Sequence, residues 1–128
     1  MANQVTNIGG VLSAVTTTIA YTDSTAVTIA TISANLQIVD INIDVTTAFN
    51  AAGTDTVTVG KTGSAAAFVA STSVASAGRA SVATTGVYSA WADTGSSDIS
   101  ATVTFTQTGT AATAGAARVT IVYKSYAP

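Results

Sequence analysis

The sequence predicts an all-β chain: a single-domain β-sandwich, jelly-roll-like, of about eight antiparallel strands. Three observations predict it. Ala and Thr each supply about a fifth of the 128 residues, and Glu is absent, so the composition suits a pleated, half-buried surface far better than a helix. The longest apolar run alternates with period two: Val39, Ile41, Ile43 and Val45 interleave with Asp40, Asn42 and Asp44, as in a strand with one wet face. Short runs of this kind recur between Gly, Asp, Ser and Asn turns at the spacing of a sandwich or jelly roll.

Taken in order, residues 1–10 are polar and end in Gly9-Gly10, a hinge signal. They are expected to form an N-terminal arm, extended or lying on a neighbouring subunit, ahead of a sandwich domain over 11–128. Strands are expected at 11–21 and 25–33, on either side of a turn at Thr22-Asp23-Ser24, and at 36–49. Residues 55–61 repeat the alternation through Val57 and Val59, and a shorter strand surrounds Phe68 and Val69 at 65–72. The small-residue stretch 73–86 reads as a loop. Strands at 86–91, 99–107 and 117–126 complete the set. In the last, Val119, Ile121 and Tyr123 oppose Arg118, Thr120 and Lys124. Pro128 is the lone proline, so nothing forbids central strands.

Charge narrows the function. Charged residues make up 8% of the chain and the net charge is −2. The four cations, Lys61, Arg79, Arg118 and Lys124, are scattered along the sequence. A nucleic-acid partner needs a basic stripe to neutralise phosphates, so none is expected. Near-zero charge with a mean hydropathy of +0.49 suits a surface partly covered by other subunits. The N-terminus has no basic segment leading into an apolar block, polar residues interrupt every apolar stretch, and aromatics are few. Neither a signal peptide, a helical span nor an outer-membrane barrel is therefore expected, and no membrane partner.

His, Cys and Glu are all absent, which removes most general bases, nucleophile partners and zinc ligands together. No catalytic residue, resident metal or cofactor is expected. Gly60-Lys61-Thr62 looks like the end of a phosphate-binding loop, but Asp55 occupies the place of its first glycine and Gly63 argues against the helix that must follow. A turn after a strand is the simpler reading. Asp40, Asn42 and Asp44 share a strand face with the opening spacing of a calcium loop, yet Val45 replaces the turn glycine and no Glu closes it. A solvated stripe is the plain reading. A cation site or an inter-subunit polar ladder is the sharper one. Tyr88 and Trp91 are read as a pair, either core or interface aromatics or a sugar-stacking platform.

The run Val45-Thr46-Thr47-Ala48-Phe49-Asn50, the following Thr56-Val57-Thr58-Val59-Gly60 and the tail from Gly109 to Val119 carry a family resemblance. Together they resemble capsid decoration (cement) proteins and related head-fibre components of tailed bacteriophages, over about residues 25 to 124. The resemblance implies a jelly-roll or sandwich domain, usually a homotrimer, seated on the outer capsid where subunit clusters meet. Its partners would be the major capsid protein and further copies of itself, without catalysis or cofactor. Its place would be the virion, assembled in the bacterial host cytoplasm, and a chain without cysteine suits a reducing compartment. The alternative is a glycan- or receptor-binding sandwich module of a phage fibre or bacterial surface protein. Tyr88 and Trp91 would then be its platform.

Overall fold

The computed structural model describes residues 12–81 and 97–125. Among them lie eight strands: β1 (Leu12–Ala20), β2 (Val27–Ile32), β3 (Leu36–Thr47), β4 (Asp55–Lys61), β5 (Ser64–Ser73), β6 (Gly78–Ser81), β7 (Ile99–Gln107) and β8 (Ala116–Ser125). They form two four-stranded sheets, in the orders β1-β8-β3-β6 and β2-β7-β4-β5. The antiparallel partners are nested: β1 pairs with β8, β2 with β7, β3 with β6 and β4 with β5. Further antiparallel pairs, β3 with β8 and β4 with β7, knit these into sheets. A long hairpin rolled on itself has this nesting, and the fold is a jelly roll. The predicted fold class holds.

Alternation explains how the two sheets meet. From the first sheet Ile19, Ile41, Ile43, Val119 and Ile121 point inward, and from the second Val57, Val59 and Val103, all buried. Each such side chain contributes about 1.5–3 kcal/mol when fully removed from water. Ala101 and Ala117 are fully buried too, so alanine does fill the gap between sheets where a larger side chain would not fit. Phe49 closes the core at one end. Its ring lies 4.7 Å from that of Phe105, tilted by 43°.

Two expectations need correction. On β3 the strict alternation from Val39 onward fails at its first member. Ile38 pairs with Tyr123 but Asp40 pairs with Val122, so Val39 is an extra residue in a bulge. Ile38 is 1% exposed, whereas Val39 is only half-buried. The bulge shifts the phase, so that Ile38 and Ile41, three apart, both face the core. Second, the stretch 73–86 is not all loop, because Gly78-Arg79-Ala80-Ser81 forms β6 against β3. This segment carries no apolar alternation, and pairing with a long neighbour makes it a strand. The expected strand at 86–91 and the arm at 1–10 lie outside the described residues.

The turns follow local chemistry. Asn35 has φ 64° in the β2–β3 turn, a left-handed conformation that Asn tolerates better than most residues. Gly63, at φ 85°, returns the chain from β4 straight into β5, since Lys61 pairs with Ser64. No helix follows Thr62, and the turn reading of Gly60-Lys61-Thr62 stands.

Candidate functional site

The outer face of the β1-β8-β3-β6 sheet gathers the chain's polar side chains into rows. Antiparallel register sets Thr18, Arg118, Asp44 and Arg79 side by side across all four strands. The next row holds Thr16, Thr120 and Asn42, the next Ala14, Val122 and Asp40, and the last Leu12, Lys124 and Gln37. Neighbouring strands lie about 4.8 Å apart, so side chains in one row touch.

Asp40, Asn42 and Asp44 do share this face, as their spacing implies. Each is half-buried. They do not converge on a point, because each has its own partner. Asp40 accepts the backbone N–H of Ile41 at 2.9 Å through Oδ1, and the Asn42 side-chain N–H at 3.2 Å through Oδ2. Asp44 forms an ion pair with Arg118 through Oδ2. Among the described residues no three potential ligands cluster around a metal position. Tyr88 and Trp91 lie outside the described residues.

The arginines are what sequence reasoning missed. Along the chain the four cations look scattered, but three of them, Arg79, Arg118 and Lys124, fall on this one face. The signal is in the register: Asp44 pairs with Arg118 on one side and Arg79 on the other, and strand order cannot be read from spacing. A shallow groove of about 300 Å³ runs between the rows, lined by Thr16, Asn42, Asp44, Arg79, Arg118 and Thr120. The Thr16 and Thr120 hydroxyls hydrogen-bond to each other across it at 2.8 Å. The cations alternate with Asp40 and Asp44, so they do not make the uncompensated stripe that a phosphate backbone requires.

One end of the sandwich is held by side chains as well as by backbone bonds, which join Ala52 to Thr110 and Gly53 and Thr54 to Thr108. Asn50, in the β3–β4 loop, accepts the N–H groups of Thr113 and Ala114 at 2.8 and 3.0 Å and donates to the Thr113 hydroxyl at 3.0 Å. Gln107 accepts the Ala112 N–H at 2.7 Å, and Thr108 bonds both the backbone and the hydroxyl of Thr54. Asp55, 3% exposed, accepts the Ala51 N–H at 3.0 Å. The segments that carry the family resemblance, 45–50 and 109–119, thus pack against each other. Lys61 stands at the opposite end of β4 from Asp55, about 20 Å away along the strand.

Comparison with solved structures places this fold. The chain is similar to one in the cyanophage Pam1 capsid asymmetric unit, with a TM-score of 0.73 and 20% identity over 98% of this chain and 92% of that one. It is also similar to a chain in the acid-stable capsid structure of the Helicobacter pylori bacteriophage KHP30, with a TM-score of 0.66 and 10% identity over 93% and 91%. At these identities the match is one of fold. No protein-family model matches the sequence, and no curated protein matches it.

Proposed function

We propose that this chain is a non-enzymatic virion structural protein that binds the outer surface of a phage capsid and reinforces it as an oligomeric decoration (cement) protein. The observation that carries the reading is the coverage of the two fold matches. Both are chains within phage capsid structures, and each overlaps more than nine-tenths of its own length with this jelly roll. The family resemblance in the sequence points the same way. The major capsid protein is the proposed partner, and the chain acts in the virion after assembly in the host cytoplasm. Neither nucleic acid nor membrane is a partner, and no cofactor is needed.

The mechanism is mechanical. A homotrimer presents three identical domains, and contacts that are weak singly become tight when neighbouring capsid subunits engage them together. The arm at 1–10 would add contact area by ordering on the capsid. The sandwich suits the task, since its side-chain-locked loops hold the domain's shape under load.

The test is co-sedimentation of purified protein with phage heads assembled without it. Saturable binding, together with a rise in the temperature at which the heads rupture, is the expected result. Absence of binding at micromolar protein would overturn the reading.

A further inference from the structure

We propose that the groove between Arg79 and Arg118 is a docking site for an acidic side chain of a partner protein, and that Arg79 is its anchor. The proposal deepens the capsid-binding reading and rests on it, since the partner would be the acid-bearing surface of a capsid subunit.

Charge complementarity carries the argument. The row Thr18-Arg118-Asp44-Arg79 holds two guanidinium groups and one carboxylate. Asp44 spends its charge on Arg118. Arg79 is exposed, and its guanidinium forms no ion pair among the described residues. Among the described residues the face carries Arg79, Arg118 and Lys124 against Asp40 and Asp44, an excess of one positive charge. The other described charges are Lys61 against Asp23, Asp55 and Asp98, an excess of two negative charges. Among the described residues, then, a net-acidic chain gathers an excess of positive charge on one sheet face.

The hydrogen-bonding inventory selects the ligand more narrowly. Asp44 is, among the described residues, the one carboxylate lining the groove. Facing it are the planar donor forks of two arginines, an Asn42 amide and two threonine hydroxyls that share a single mutual bond. Donors outnumber acceptors, so the site wants an acceptor-rich anion. Arg118 and Arg79 stand on either side of β3, about two strand spacings or 10 Å apart at the backbone, and long guanidinium arms reach a carboxylate placed between them with fork geometry. Among the described residues the lining includes no aromatic ring on which a sugar would stack, and the groove is open along a sheet face, which suits a protein surface. A second copy is, among the described residues, a poorer fit. Asp23 and Asp98 already accept backbone N–H groups, those of Ala20 and Ala34, and Asp55 is buried.

The experiment compares wild type, Arg79→Glu and Lys61→Glu for equilibrium binding to phage heads assembled without the protein, at low and high salt. Both residues are exposed, so both variants are expected to fold, as circular dichroism would show. Arg79→Glu should weaken binding about tenfold or more, with wild-type binding also falling as salt rises. Lys61→Glu, on the other sheet, should stay within about twofold. Equal binding by wild type and Arg79→Glu, or an equal loss in both variants, would overturn the docking site while leaving the capsid reading intact. A change in oligomer mass on Arg79→Glu would also overturn it, because the face would then be a subunit contact. If wild type binds no heads, the capsid reading fails. The groove is then decided by titration with poly-L-glutamate: amide signals of Arg79, Arg118 and Thr120 should shift, and no shift overturns it.

Discussion

At the scale of single residues, the closed end of the sandwich depends on a glycine and an asparagine. Gly115 has φ 149°, and a Cβ there would run into the ring of Phe49. Phe49 cannot retreat, since it is 2% exposed and packed on Phe105. Gly115→Ala therefore combines backbone strain with overpacking, and should cost about 2–4 kcal/mol, read as a lower urea midpoint with an unchanged slope. Asn50 shows the opposite situation, an exposed side chain with structural weight. It holds three hydrogen bonds across to the β7–β8 loop. Asn50→Ala leaves the freed N–H groups within reach of water, so a loss of about 1–2 kcal/mol is expected, with amide exchange at Thr113 and Ala114 faster than in wild type. Neither role was legible in the sequence. Gly115 sits among alanines and glycines that look alike, and its importance arises from a ring about 66 positions earlier in the chain.

At the scale of elements, β3 shows what periodicity can and cannot deliver. Its existence, its length and the shared face of Asp40, Asn42 and Asp44 were legible, because five positions from Asp40 to Asp44 alternate without error. The phase at its start was not. Leu36, Ile38, Val39 and Ile41 are all apolar, so two registers are equally consistent with the pattern, and the choice falls to the β8 partner through a bulge at Val39. The bulge makes an unequal pair of neighbours. Ile38→Thr puts a hydroxyl into the core and should cost about 2–4 kcal/mol, while Val39→Thr should stay within about 1 kcal/mol. Equal costs for both in thermal or urea unfolding would mean that the strand runs without the bulge. β6 was illegible for a related reason: Gly78-Arg79-Ala80-Ser81 has no pattern of its own, and only its pairing with residues Asn42 to Val45 makes it a strand.

At the scale of the whole molecule, the jelly roll was legible because it follows from many short, independent signals, and an error in one strand does not alter the class. The polar face was legible in half. Its acidic stripe lies on one strand, where spacing suffices, whereas its arginines come from β6 and β8, 39 positions apart by number, and meet only through strand order. On the proposed decoration reading, function at this scale is a matter of multiplicity: a chain with 8% charged residues would clamp a capsid by repetition of modest contacts rather than by one strong one. Solution light scattering should then report three times the 12.6 kDa chain mass. A variant that stays folded but scatters as one chain should bind heads about 10²–10⁴-fold more weakly than the trimer, although every domain keeps its groove. If the monomeric variant binds as tightly as wild type, one domain carries the whole affinity. Avidity would then have no part in the mechanism, and the partner surface would have to supply a far deeper contact than the rows of Thr, Asp and Arg on this sheet provide.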